Sequence, residues 1–363
     1  MDAPRRHLRA RVRCWLHSRE ASMGDVTTIG LDIGKTSFQA HGADASGAVV
    51  FRKKLSRGGL LTYLGAQAPC LVAMEACAGA HHWGRELMRR GHTVRLIPPA
   101  YVKPYVKRQK NDEADAEAIC EAAQRPTMRF VPVKSAEQQA VGVVFRARDL
   151  LVRQRTQIIN SIRGHLAEYG KVAPKGLCYV ERLVREIEDP ESALPLAARA
   201  SLKILADVMA RLDDEVARLD REIANRAKED PIARRLMSIP GVGPITATAL
   251  VALAPAPEAF RCGRDFSAWL GLTPVQKSTG GKQKLGQITK AGERTLRRLL
   301  VIGASAVIKQ ALLKGAPPGS WLAQMLARKP RMLVAVALAN KTGRIVWALM
   351  ARGGIYRAPA MAG

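Results

Sequence analysis

Acidic residues are the scarce component of this 363-residue chain: 31 Asp plus Glu stand against 58 Lys plus Arg, a net charge of +27. An excess this large goes beyond what solubility needs and points to a polyanionic partner. Aromatic residues make up only 5% of the chain, too few for recognition built mainly on base stacking. The six cysteines form no CxxC pair and have no histidines at zinc spacing, so they read as free thiols in a reducing compartment. No apolar run reaches the length of a membrane span, and the basic N-terminus lacks the apolar core of a secretory signal. The expected location is the cytoplasm, with no membrane partner.

The charge is unevenly spread. Residues 231–363 hold 20 Lys plus Arg and 3 acids, and residues 1–22 hold 6 basic and 2 acidic residues. The C-terminal third is therefore expected to be the main polyanion-binding surface. Residues 1–22 read as an appended basic extension, with Met23 a natural start just ahead of the first strand.

Residues 26–54 contain three β-rich pieces, VTTIGLDI, SFQAHGA and AVVFRKKL, separated by Gly-containing turns. A helix near 58–66, a strand at 70–75, a helix at 80–90, a strand at 92–97 and a helix from Asp112 to about 124 follow. A three-strand meander and then alternating helix and strand is the order of a ribonuclease-H-like α/β domain, here 23–135. Residues 136–230 are expected to form a middle domain of two long helices. The first carries Val144, Leu151, Ile158, Ile162 and Leu166, the second Leu205, Val208, Leu212, Val216, Leu219 and Ile223. Such a pair is either a coiled-coil dimerisation arm or an intramolecular spacer. Residues 231–363 form a third, mainly helical domain. Its Pro-Gly-Val-Gly-Pro segment, with Gly241 and Gly243, is either a phosphate-holding helix-hairpin-helix loop or a plain turn.

Four acids carry the chemistry. Asp112 and Asp115 are three apart at a helix start, so their carboxylates share a face. Asp32 and Glu75 each end a strand-like segment, where an unpaired carboxylate is costly. Two strand-borne acids and a helical pair suit two magnesium ions acting on a phosphodiester. Asp32 would bridge the metals, Glu75 and Asp115 would take outer positions, and Asp112 would complete the set. Glu113 and Glu117 turn off that face.

A second candidate is Ser278, in a Gly- and Lys-rich loop (271–292) that contains no acid. It is either a turn residue or a nucleophile supported by Lys277, Gly280 and Lys282, with Thr279 a more hindered rival. Lys282, Lys284, Lys290, Arg294, Arg297 and Arg298 are the expected phosphate contacts. No histidine lies near Ser278 to act as its base. The same acids would also serve a nuclease or junction resolvase that uses water, and a scaffold without catalysis is a third reading.

The motifs GLDIGK (30–35), MEAC (74–77), KNDEADA (110–116), IPGVGPITA (239–247), GLTPVQKSTGGKQKLGQITKAG (271–292) and VALANKTGRIVWALM (336–350) occur in one order. In this the chain resembles the DEDD transposases of the insertion-sequence 110 family, most of all the 1111 subgroup and the related pilin-gene invertase, over about residues 26–353. The resemblance implies a RuvC-like domain, a coiled-coil middle and a transposase domain. It implies a metal site of Asp32, Glu75, Asp112 and Asp115, and Ser278 as a nucleophile that becomes covalently joined to DNA. It further implies an active site shared between subunits, a dimer assembling to a tetramer on donor and target DNA, and a guide (bridge) RNA encoded by the element. Thr279 stands where such proteins often carry a second serine.

Overall fold

The computed structural model describes residues 26–107 and 111–357, which divide into two compact units meeting at Ser135/Ala136. The expected basic extension 1–22 lies outside the described residues.

In the first unit the strands β1 (Thr28–Ile33), β2 (Ser37–Ala43) and β3 (Val49–Ser56) form the meander, followed by helix α1 (Leu60–Gly65), β4 (Leu71–Glu75), α2 (Ala80–Met88) and β5 (Thr93–Ile97). A short helix α3 (Pro99–Val102) and one 3-10 turn lead to α4 (Asp112–Ala123). The sheet order is β3-β2-β1-β4-β5, with β1 antiparallel to β2 and parallel to β4.

Strand alternation divides the sheet into two faces. Ile29, Leu31, Phe38, Leu55, Val72 and Met74 face α1 and α2, where Leu60, Leu64, Trp83 and Leu87 complete a core. Ala73 and Ile97 pack with Ala118, Ile119 and Ala122 of α4 in a second core on the opposite face. His92 is buried and ties α1 to the sheet. Its Nδ1 accepts from the Cys70 backbone N–H at 3.3 Å, which leaves Nε2–H to donate to the Leu64 carbonyl at 2.9 Å.

The alanine-rich face of α4 lies directly on β1. A Cβ at Gly30 would stand 2.2 Å from the Ala116 carbonyl oxygen and 2.5 Å from the Cys120 nitrogen. Only a residue without a side chain permits that approach.

The second unit is helical: α5 (Ala136–Ala167), α6 (Val180–Glu188), α7 (Leu196–Glu229), α8 (Pro231–Leu236), α9 (Pro244–Leu253) and α10 (Gly263–Trp269). Strands β6 (Pro274–Gln276) and β7 (Leu285–Ile288) form an antiparallel hairpin. Helices α11 (Arg294–Lys314), α12 (Trp321–Arg328) and α13 (Arg331–Arg352) complete it. The long helices α5 and α7 pack side by side and are laced by Arg148–Asp220 and Arg155–Asp213 ion pairs. On α7 the buried residues are Leu202, Ala206, Met209, Val216, Ile223 and Ala227, of which Val216 and Ile223 belong to the stripe expected. Leu205, Val208, Leu212 and Leu219 are only half-buried. Phe145 of α5 and Ile223 of α7 share one core with α9, α10, α11 and α13.

Helix α13 is, contrary to the expectation of no such segment, long and apolar enough by composition to cross a bilayer. Its Val334, Ala335, Ala339, Val346 and Leu349 are buried inside the unit, so it reads as a core helix.

Gly30→Ala should force α4 off β1 and cost at least about 2 kcal/mol of stability, as overpacked cores do. A thermal melt of that variant against the unsubstituted protein measures it.

Candidate catalytic site

The acid site is built at the carboxyl ends of β1 and β4. Asp32 is two residues beyond Gly30, and Glu75 two beyond Ala73, so both project toward α4 as Gly30 and Ala73 do. Asp112 and Asp115 occupy the first turn of α4, whose N-cap Asn111 accepts the Glu113 backbone N–H on its side chain at 3.1 Å. Anionic groups suit a helix N-terminus.

Two of the other acids act on Glu75. Burial first, and then the charges of Asp32 and Asp115, push the Glu75 carboxyl above its ordinary range. The thiol of Cys77 is raised by burial and by Glu75 and Asp32, so the same negative field extends into the loop after β4. Asp112 is exposed and is not among the charges acting on Glu75. Among the described residues no group of three or more His, Cys, Asp or Glu is gathered closely enough to hold a metal ion. The donor chemistry nevertheless fits one: carboxylate oxygens that repel each other are what a hard divalent cation neutralises.

Glu117 does turn away from the acids. It pairs with Lys107 and, at 3.3 Å, with Arg52 of β3, which holds α4 to the sheet edge. Sequence reading had no signal for this pairing, because the partners come from three separate segments.

Ser278 stands on the β6–β7 hairpin and is exposed. The hairpin turns at Thr279-Gly280-Gly281-Lys282, where Thr279 and Lys282 bridge and both glycines have positive φ, 54° and 74°. Positive φ at both central residues is the turn geometry that matches strand twist. The Gly-Gly pair between polar residues was the available signal for a hairpin where an irregular loop was expected. The Lys284 backbone N–H donates to Ser278 Oγ at 3.1 Å, and the Lys277 N–H donates to the Lys284 carbonyl at 2.8 Å.

The expected phosphate contacts divide into two groups. Lys277, Lys282, Lys284, Lys290 and Arg294 are exposed, and among the described residues they form no ion pair. Arg297 and Arg298 are already engaged. Arg297 donates to the carbonyls of Leu270, at 2.9 Å, and Ala291, and burial lowers its pKa. Arg298 pairs with Asp149 of α5. Gly241 packs against the backbone of Gly303 in α11, where a Cβ would be 2.7 Å from the Gly303 oxygen. Gly243, exposed, precedes α9 with open space around it.

Comparison with known proteins gives the family. Residues 29–171 match the DEDD transposase family of IS110, and residues 233–315 match the transposase family IS116/IS110/IS902. A probable family 20 transposase of Pseudomonas aeruginosa is 48% identical over 92% of this chain and 99% of its own. The chain is a transposase of the IS110 family. The transposase for insertion sequence element IS1328 of Yersinia enterocolitica is 40% identical, over 92% of this chain and 99% of its own. That for element IS1111A of Coxiella burnetii is 38% identical over 94% of each chain. This transposase is thus a DNA-acting enzyme. Its mixed N-terminal sheet with a helical remainder fits a DEDD nuclease-like fold, and the family suggests use of a divalent metal.

Arg297→Ala should lower stability by about 1–3 kcal/mol, because two carbonyls lose their charged donor. Lys282→Ala should stay within about 0.5 kcal/mol, as surface substitutions do. Parallel thermal melts of the transposase variants separate the two roles.

Proposed function

We propose that this transposase excises and inserts its own insertion sequence by covalent serine chemistry assisted by magnesium. The observation that carries the reading is the placing of Asp32 and Glu75 at the carboxyl ends of the adjacent strands β1 and β4, where they and Asp115 of α4 are near enough for their charges to act on Glu75, in a chain of this family. Asp32, Glu75, Asp112 and Asp115 would hold two Mg2+ ions, which, when bound, polarise a phosphodiester oxygen and neutralise developing charge. The acid unit is read as RuvC-like, within the ribonuclease-H-like class.

Ser278 is the proposed nucleophile. Its Oγ accepts the Lys284 N–H, so its own proton remains available for removal. Attack forms a Ser Oγ–phosphorus bond and breaks the bond from phosphorus to the leaving sugar oxygen. The hydroxyl proton is lost, and a proton is taken up by the leaving oxygen. Lys277, Lys282 and Lys284, with the Thr279 and Gly280 backbone, supply positive charge and donors beside the phosphate. Lys290 and Arg294 extend that basic surface. Gly241 and Gly243 offer a helix-hairpin-helix-like phosphate contact at the start of α9.

The α5–α7 pair is read as a coiled-coil arm joining two copies, which assemble to a tetramer on donor and target DNA. The acids of one subunit would then serve the serine of another. An element-encoded bridge RNA, pairing with both DNAs, would supply the sequence recognition that a chain with 5% aromatics does not supply by stacking.

Two outcomes test this. Ser278→Ala should abolish the covalent protein–DNA adduct seen on denaturing gels. Strand cleavage that persists without an adduct would instead assign the attack to water. Titration calorimetry should show Mg2+ binding that weakens at least tenfold in Asp32→Asn, and unchanged affinity would remove the acids from the metal site.

A further inference from the structure

The register of the N-terminal sheet aligns more than the acids. Asp32 of β1 lies opposite Gln39 of β2, and Gln39 lies opposite Lys54 of β3. Paired residues share a face. Gln39 and Lys54 therefore stand on the side of the sheet that carries Asp32 and α4. Glu75 is the residue after Met74, which is aligned with Leu31, so it extends the same row on β4. The row across four strands reads Glu75, Asp32, Gln39, Lys54. With strands about 4.8 Å apart, Lys54 is about 10 Å from Asp32.

The neighbouring row shows what is unusual here. His41 lies opposite Arg52, and Arg52 is neutralised by Glu117 of α4. Lys54 is exposed, and among the described residues no carboxylate pairs with it. Gln39 is half-buried, and its side-chain amide makes no hydrogen bond among the described residues. Helix α4 begins at Asp112, and its Glu117 already reaches Arg52 in the adjacent row.

Lysines on edge strands also prevent sheets from joining edge to edge. Lys53 is available for that on the opposite face, where its ammonium lies 4.4 Å from the centre of the Tyr63 ring. Lys54 has no such seat.

We propose that Gln39 and Lys54 form a phosphate subsite continuous with the acid site. It would hold a backbone phosphate of the DNA strand being cut, beside the phosphate undergoing reaction. The subsite rests on the DNA-recombinase reading above. Lys54 supplies the charge, and Gln39 supplies a neutral donor between that charge and the acids. Holding a second phosphate fixes the strand's direction across the acids, which an isolated carboxylate cluster cannot do.

The test is the salt dependence of binding of a fluorescein-labelled DNA duplex to the full chain, by anisotropy. Lys54→Gln should reduce the slope of log affinity against log salt by about one, the loss of one phosphate contact. Lys54→Arg should restore the slope, Lys53→Gln should leave it unchanged, and all three should melt like the unsubstituted protein. An unchanged slope in Lys54→Gln, or an equal loss in Lys53→Gln, would overturn the subsite. A flat slope in the unsubstituted protein would sink the recombinase reading itself, and the subsite with it.

Discussion

The contact of helix α4 with the glycine of β1 is the constraint on which the acid site depends. Because Gly30 has no Cβ, the helix backbone reaches the strand backbone, and the carbonyl of Ala116 occupies the space a side chain would take. One residue before that contact is Asp115, and two residues along the strand is Asp32. The close approach therefore fixes the distance between two acids on different elements. The small residues on the inner face of α4, Ala118, Ala122 and Ala123, serve the same end by keeping the whole helix low on the sheet.

That placement has an electrostatic cost. Burial, and then the charges of Asp32 and Asp115, raise the pKa of Glu75. Stability alone would set like charges apart. Pairing does occur one turn away, where Glu117 takes both Lys107 and Arg52.

Much of this was legible in the sequence. The strand pieces, the two long helices and the acid positions followed from alternation, helical spacing and turn residues. The hairpin carrying Ser278 was not, because β6 and β7 are short, exposed and interrupted, and only Gly280-Gly281 marks the turn. Helices α6 and α12 are short and framed by prolines and glycines, Gly176 and Pro190 about the first and Gly319 and Pro330 about the second, which leaves little helical spacing to read. The α7 stripe was placed only in part, at Val216 and Ile223, because two apolar rows lie side by side on that helix. Leu205 and the buried Ala206 both belong to the core that holds Ile162 and Leu166 of α5, and only Ala206 is fully covered. Arg297 and Arg298 looked like phosphate contacts because sequence shows charge but not the carbonyls and the Asp149 carboxylate that engage them.

The ion pairs along α5 and α7 have a consequence for how the second unit meets DNA. Asp220 and Asp213 neutralise Arg148 and Arg155 on the long helices, while residues 231–363, although Arg298 of α11 pairs with Asp149, keep most of their positive charge. The unit is therefore a charge dipole as well as a cation. In the field of a polyanion such a body feels a torque before it makes contact. It would arrive already turned, with its basic third leading and the helical pair trailing.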